Sequence, residues 1–157
     1  MISKAIAVAP GSSVAIQPAV WRDLGEIRQL EKLCFPEDAW TIFDMLGALS
    51  FPNMLRLKAV DQERIVGFVV ADIRRFKNMA WIATICVHPD YRGQGMGAKL
   101  LEECEQKLDI ERIRLSVRAS NKAAIRLYTS AGYVVMGNWP KYYKGKEDAT
   151  VMEKNLS

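Results

Sequence analysis

The segment HPDYRGQGMGAKLL, residues 88–101, places a basic residue and closely spaced glycines directly before an amphipathic pattern. Gly93, Gly95 and Gly97 leave the backbone accessible, so that several N–H groups can converge on one ligand. Arg92 stands at the front of these glycines. The N-terminus of the helix that follows offers unpaired N–H donors and a partial positive charge, which attract phosphate. The segment therefore predicts an anion-binding turn.

Two nucleotide-binding templates fit this turn poorly. A nucleotide-hydrolysing loop needs a Gly-Lys-Ser/Thr ending, whereas residues 97–100 read GAKL and offer no hydroxyl for a metal. A dinucleotide fingerprint is matched at Gly93 and Gly95, with the tolerated alanine Ala98 in its third position. The acidic residue it requires about twenty positions on would fall near Ile113, among arginines and aliphatic residues. The dinucleotide fingerprint is therefore a weaker alternative. A glycine-rich turn that merely connects a strand to a helix, without binding a ligand, is a further alternative.

Hydrophobic periodicity places the turn within an alternation of strands and helices. Asp23 is a candidate N-cap of the first helix, and Phe35-Pro36 ends that helix. Asn121 with Ser120 is predicted to cap the last helix, which Gly132 ends. The patterns predict strands at 14–19, 55–60, 65–73, 81–87, 112–118, 133–136 and 150–152, and helices at 23–34, 41–49, 97–108 and 121–131.

This order predicts an α/β fold with a mixed sheet, in which hairpins lie on one side and a strand–helix–strand unit lies at the centre. At 157 residues we expect a single domain, residues 1–157. The net charge of +4 suits an anionic ligand. No basic tract with interleaved aromatic residues is present, so nucleic acid is not expected as a partner.

Beyond the turn, several longer segments resemble one protein family. Arg92, Gly95 and Gly97 fit the pyrophosphate-loop pattern Arg/Gln-x-x-Gly-x-Gly/Ala of the GNAT superfamily of acetyl-CoA-dependent N-acetyltransferases, and VRASNKAAIRLYTSAGY, residues 117–133, resembles its later motif. DLGEIRQLEKLCFP, residues 23–36, and KYYKGKEDATVMEK, residues 141–154, resemble the ends of the ribosomal-protein alanine N-acetyltransferases. The resemblance implies a mostly antiparallel central sheet flanked by helices and splayed at the acetyl-CoA site.

The same resemblance implies roles for particular residues. Asn121 matches a position that contacts the cofactor, and Tyr128 matches the general acid that protonates the departing coenzyme A thiolate. Arg92 would add positive charge beside the pyrophosphate. Backbone groups of one strand would line the pantetheine and thioester, and backbone N–H groups of the turn would hold the pyrophosphate; these are Ile85, Cys86 and Val87 in the strand and Gly93, Gln94, Gly95, Met96, Gly97 and Ala98 in the turn.

One position departs from the family. Members of the alanine N-acetyltransferase type carry a glutamate base twelve residues before the tyrosine, where this chain has Ser116. An α-amine with a pKa near 8 is roughly a tenth neutral at pH 7, whereas a lysine side chain is only about 0.04% neutral. Loss of the base therefore harms a lysine acetyltransferase far more than an N-terminal one. A water relay touching Ser116, Glu147 or Asp148 is a hypothesis for proton removal.

The resemblance implies that the substrate is the N-terminus of a protein or peptide, including ribosomal proteins. Tyr142 and Tyr143 are candidates for lining the site that binds this N-terminus. Phe35 and Trp40 are candidates either for the same lining or for ordinary core packing. An acetyltransferase for a small-molecule amine or a lysine side chain remains an alternative, as does an acetyl-CoA sensor without turnover.

The remaining composition limits partners and location. One histidine, His88, and three scattered cysteines predict no metal site. Cys34, Cys86 and Cys104 lie in apolar patterns and are predicted to be buried free thiols, with a catalytic cysteine as the less favoured reading. Free thiols indicate the reducing cytoplasm. No apolar run reaches the roughly 18 residues that cross a bilayer, and the N-terminal segment is too weakly apolar for a signal peptide, so no membrane association is expected.

Overall fold

A computed structural model describes residues 14–156 and shows one seven-stranded sheet. The strand order is β1-β2-β3-β4-β5-β7-β6, and only the β4–β5 pair is parallel. The strands are β1 (Val14–Pro18), β2 (Met54–Asp61), β3 (Arg64–Arg74), β4 (Met79–Val87), β5 (Arg112–Arg118), β6 (Val134–Trp139) and β7 (Ala149–Asn155). The predicted mixed, mostly antiparallel sheet is confirmed.

Within residues 14–156, four α-helices cover the two faces of this sheet: α1 (Leu24–Cys34), α2 (Ile42–Ser50), α3 (Met96–Lys107) and α4 (Lys122–Ser130). Successive residues of β3 point to opposite faces, as the strand geometry requires. Val69 belongs to the core that also contains Leu100 of α3, whereas Phe68 belongs to the core that contains Ile27 of α1 and Met45 of α2. Helices on both faces explain why β3 and β4 are largely apolar in sequence.

The central parallel pair is short. Strands β4 and β5 pair only from Met79 to Trp81 on β4 and from Arg112 to Arg114 on β5. Beyond these residues the two strands diverge, which confirms the predicted splay. The register of β4 against β3 also shifts between Val70 and Ala71, so that Ala83 is an extra residue in β4. Such a bulge bends a strand locally.

The structure corrects two details of α1. Asp23 occupies the cap position but makes no side-chain cap hydrogen bond; its carboxylate instead accepts from the Val20 N–H and pairs with Lys58 at 2.9 Å. Leu33, which the helical spacing from Leu30 would place on the apolar face, is exposed, whereas Glu31 is only 2% exposed. A carboxylate thus takes a buried place on this helix.

The other helix ends agree with the sequence signals. Thr41 accepts the N–H of Asp44 at the start of α2, and Asn121 accepts the N–H of Ala124 at the start of α4. Gly132, with φ of +99°, follows the end of α4. No helix among residues 14–156 is both long and apolar enough to cross a membrane. The segment considered as a signal peptide lies mostly outside the described residues.

Candidate active site

A cavity of about 210 Å³ opens where β4 and β5 diverge. The two strands form its opposite walls, α4 contributes one side, and α1 with the loop after it contributes another. Its lining consists of Glu31, Phe35, Asp38, Trp40, Ile82, Ala83, Thr84, Ile85, Leu115, Ser116, Val117, Arg118, Asn121, Ala124, Tyr128 and Tyr143. The cavity therefore depends on elements that are far apart in sequence.

The glycine turn lies between the end of β4 and the start of α3. Gly93 and Gly95 adopt φ of +73° and +85°, a region that residues with a side chain rarely enter, and the space where a Cβ would stand is open at both. No side chain caps α3 at Gly95, so the first N–H groups of the helix, at Met96, Gly97 and Ala98, keep no intrahelical acceptor. This arrangement fits the pyrophosphate cradle that the sequence predicts.

Arg92 is anchored at the junction between strand and turn. Its Nε donates to the carbonyl of Val87 at 3.0 Å, and the Cys34 thiol donates to the same carbonyl at 3.3 Å. A hydrogen bond from the Cys86 thiol, together with the positive charge of Arg92, lowers the pKa of Cys34 to about 6. Cys86 is buried as predicted, whereas Cys34 is only half-buried, which corrects that expectation.

The remaining turn residues behave differently from one another. Gln94 is half-buried, and its amide donates to the carbonyl of Asp90 at 3.3 Å. A Cβ on Gly97 would stand 3.1 Å from Leu127 of α4, so this glycine allows α3 and α4 to approach closely. Gly93 and Gly95 therefore serve the open side of the turn, while Gly97 serves packing.

Tyr128 on α4 points its ring into the buried region beside the cavity. It is 6% exposed, and its ring lies 5.9 Å from that of Tyr133. Among the described residues its hydroxyl has no hydrogen-bond partner, which leaves it available to a ligand. Burial, followed by the neighbouring Tyr143 hydroxyl, raises the pKa of Tyr128 above its usual value. The hydroxyl is consequently protonated at neutral pH and can donate a proton.

Ser116 lies on β5 with its hydroxyl at the cavity wall. Its Oγ is 3.1 Å from the hydroxyl of Tyr143, so the two hydroxyls share one hydrogen bond. Tyr143 lines the cavity, as predicted for a wall residue, and so do Phe35 and Trp40. Tyr142 does not line it; its ring meets that of Tyr143 edge to face, with ring centres 5.0 Å apart. Three of the four aromatic candidates thus meet at one cavity.

Arg118, the last residue of β5, ties together the acidic groups at the cavity mouth. Its guanidinium binds both carboxylate oxygens of Asp38, at 2.7 and 3.0 Å, and Glu147 at 2.8 Å. It also pairs with Glu37 at 3.2 Å and stands 5.0 Å from the ring centre of Tyr143. These contacts hold the loops after α1 and before β7 against the end of β5.

Neither acidic residue named for the water relay lines the cavity. Glu147 also accepts the Ser120 N–H, and its bonds to Ser120 and Arg118 hold the pKa of its carboxyl below the usual value. Asp148 accepts from the Lys141 N–H and the Asn138 amide, which likewise lower its pKa. The hydrogen bonds of both carboxylates hold loops in place, and neither carboxylate faces the cavity. The structure therefore does not support Glu147 or Asp148 as members of a water relay that removes the proton from the amine.

Glu31 is the site residue that the sequence reasoning missed. It lies one turn after Ile27 on the buried side of α1 and lines the cavity. Its Oε1 accepts the backbone N–H of Trp40 at 2.8 Å. Burial is the main cause that raises the pKa of Glu31 to about 7. The available signal was its spacing, because a carboxylate four residues after Ile27 falls on the apolar face.

The predicted cofactor residues are divided between two places. Ile85 and Asn121 line the cavity, while Arg92 and residues 93–98 form the turn beyond the end of β4. Cys86 and Val87 connect these places along the strand. Asn121 also caps α4, so its side chain serves helix stability whether or not it meets a ligand. Among residues 14–156 no cluster of His, Cys, Asp or Glu is suited to a metal ion.

Comparison with known proteins gives a consistent family. Residues 21–133 match the model described as the acetyltransferase (GNAT) family. The chain is 33% identical over 150 residues to the N-terminal acetyltransferase A complex catalytic subunit NAA10 of Arabidopsis thaliana, with 91% of this chain and 78% of that relative aligned.

Solved structures agree. The crystal structure of the ribosomal-protein-S18-alanine N-acetyltransferase from Escherichia coli has a TM-score of 0.84 and 27% identity, covering 92% of this chain and 94% of that chain. A chain of the NatC complex bound to Gag peptide and CoA has a TM-score of 0.80 and 25% identity, covering 92% of this chain and 99% of that one.

Proposed function

The chain belongs to the acetyltransferase (GNAT) family and uses acetyl-CoA as its acetyl donor, and we propose that it acetylates the N-terminal α-amine of a protein or peptide. Ribosomal proteins are the substrate class that the similarity to the ribosomal-protein-S18-alanine N-acetyltransferase supports. The similarity to NAA10 supports the same kind of acceptor. We also propose that residues 1–157 form a single acetyltransferase domain.

The observation that carries this proposal is the cavity between β4 and β5. Tyr128 lines this cavity together with residues 82–85 of β4, which no longer pair with β5, and the same strand leads directly into the glycine turn. An extended ligand lying along β4 in the manner of an added strand would reach both features. The pyrophosphate would lie against the N-terminus of α3, and the acyl group would lie in the cavity.

The chain's own groups would then act in sequence. Acetyl-CoA supplies the thioester whose carbonyl carbon takes the amine lone pair as the C–S bond breaks. The backbone of β4 would orient the thioester, and the N–H groups at the start of α3 would hold the pyrophosphate. The Tyr128 hydroxyl would protonate the departing thiolate, whose thiol has a pKa of roughly 8.5 against about 10 or more for a tyrosine.

The cavity also favours an α-amine over a lysine side chain as acceptor. Ser116 stands where the family resemblance implies a glutamate, and β5 carries no carboxylate at all. An α-amine is neutral roughly 250 times more often than a lysine amine at pH 7, from pKa values near 8 and 10.4. A weaker proton acceptor therefore suffices for the α-amine.

Two peptides test the proposal. One carries a free N-terminal alanine and no lysine, and the other is blocked at its N-terminus and carries one lysine. After incubation with acetyl-CoA we expect mass spectrometry to find the added mass of one acetyl group on the alanine peptide only. Addition mainly to the lysine peptide would contradict the proposal, and addition to neither would favour a small-molecule acceptor or a sensor.

A cytoplasmic location belongs to the same proposal. Cys34, Cys86 and Cys104 are all free thiols in the structure. Free thiols persist in the reducing cytosol, where disulfides are rare. The proposed acceptors, the N-termini of ribosomal and other newly made proteins, are consistent with this compartment.

A further inference from the structure

Glu31 is a buried carboxylate with one oxygen committed and one available. Oε1 accepts the Trp40 N–H at 2.8 Å, whereas Oε2 has no hydrogen-bond partner among residues 14–156. The side chain lines the same cavity as Tyr128, and the residue is 2% exposed. Oε2 is not among the fully buried atoms that lack a partner, so this oxygen is accessible from the cavity, where a ligand group can donate a hydrogen bond or a proton to it.

The other carboxylates of the region are already occupied. Asp38, the second carboxylate of the cavity lining, is held by both of its oxygens to Arg118. Glu147 shares that guanidinium, and Glu37, which pairs with it too, is 70% exposed and does not line the cavity. Both oxygens of Asp38 already accept hydrogen bonds from Arg118, so Glu31 is the lining carboxylate with an oxygen left for a ligand.

The surroundings of Glu31 adjust its basicity. Burial raises the pKa to about 7, the Trp40 N–H works against this, and Asp44 of α2 adds to the rise. Cys34 and Arg28, on the same helix, act in opposite directions, and Cys86 faces Glu31 from β4. A proton acceptor works best when its pKa lies near the operating pH.

We propose that Glu31 accepts the proton from the substrate ammonium before the amine attacks, an inference that rests on the proposed function. The proton passes to Oε2, which leaves a neutral amine with its lone pair free to form the N–C bond. The Tyr128 hydroxyl gives its proton to the departing thiolate. Tyr128 regains a proton from the acylated nitrogen, and Glu31 releases its proton to water, so that one proton is lost overall.

The pH dependence of a Glu31→Gln variant separates this role from a structural one. Glutamine keeps an oxygen for the Trp40 N–H but cannot accept a proton. At pH 7 roughly a tenth of an α-amine is neutral, so we expect kcat/KM to fall about tenfold. At pH 9 nearly all of the amine is neutral and needs no acceptor, so the deficit should disappear.

Glu26→Gln is the matched control. Glu26 lies on the same helix and also accepts a backbone N–H, that of Ile65 at 2.7 Å, but it does not line the cavity. We expect this variant to match the wild type from pH 6 to 9. A Glu31→Gln variant with the wild-type rate at pH 7, or with an equal deficit at every pH, would overturn the inference.

A second measurement needs no substrate. Carbon-13 NMR of protein labelled at the glutamate carboxyl should show one resonance titrating near pH 7 that is absent in Glu31→Gln. A Glu31 resonance titrating near the ordinary value of about 4.3 would overturn the inference. A wild-type enzyme that modifies neither test peptide would contradict the proposed function, while this titration would still decide the state of Glu31.

Discussion

The glycine turn and the cavity between β4 and β5 serve opposite ends of one candidate site and are built differently. The turn consists of consecutive residues, and its chemistry comes from backbone N–H groups and from the positive φ of Gly93 and Gly95. The cavity draws on α1, β4, β5, α4 and two loops, and its chemistry comes from side chains. A site made of consecutive residues, such as the turn, can be recognised from the local sequence. A site made of residues from distant segments, such as the cavity, depends on the whole fold.

This difference predicts how each region responds to substitution. Changes in the turn should alter the binding of acetyl-CoA and leave the chemical step in place. Changes in the cavity should alter the chemical step and its pH dependence. Three substitutions test this division, beginning with the largest expected effect.

Tyr128→Phe removes the cavity hydroxyl while keeping the ring. We expect kcat to fall about a hundredfold, the low end for loss of a general acid, with little change in the KM for acetyl-CoA. Tyr133→Phe is the control, because its buried hydroxyl bonds Glu105 at 2.8 Å and does not line the cavity. That variant should lose about 1 kcal/mol of stability and keep its kcat. A Tyr128→Phe enzyme within twofold of the wild type would contradict the assignment.

Gly95→Ala adds a Cβ at a residue with φ of +85° on the open side of the turn. Left-handed backbone costs a residue with a side chain about 1 kcal/mol or more, so we expect roughly a tenfold rise in the KM for acetyl-CoA with kcat nearly unchanged. Gly132→Ala carries a similar conformational cost, at φ of +99°, away from the turn. The Gly132→Ala variant should have a lower melting temperature and an unchanged KM for acetyl-CoA. If both variants changed this KM equally, the turn would not be the binding site for acetyl-CoA.

Ser116→Ala should have the smallest effect. If Glu31 accepts the proton, loss of the Ser116 hydroxyl breaks only its hydrogen bond with Tyr143 and should change kcat/KM for the alanine peptide by less than about twofold. The variant is compared with Glu31→Gln across the same pH range. A tenfold loss of kcat/KM at pH 7 that disappears at pH 9 in the Ser116→Ala variant would instead indicate that Ser116 takes part in removing the proton from the amine.

Much of the fold could be predicted because its signals are local. The alternation of Ile113, Leu115 and Val117 with polar residues indicates a strand, and all three are buried in β5. The Asn121 cap was likewise predictable from its position before an amphipathic run. The predicted capping of α1 by the Asp23 side chain was wrong because its carboxylate binds Lys58 on β2, a residue 35 positions away. A long-range ion pair of this kind leaves no mark in the neighbouring sequence.

The sequence by itself determined the glycine turn, the order of strands and helices, and the position of Tyr128 before Gly132, because each depends on residues within one or two turns of chain. The tertiary structure decided which carboxylates remain free. Arg118 binds Asp38, which is 80 residues away, and Glu147, which is 29 away, whereas the buried Glu31 keeps one oxygen open to the cavity. The acid–base properties of a carboxylate depend on its burial and partners, and those are set only when distant segments pack together.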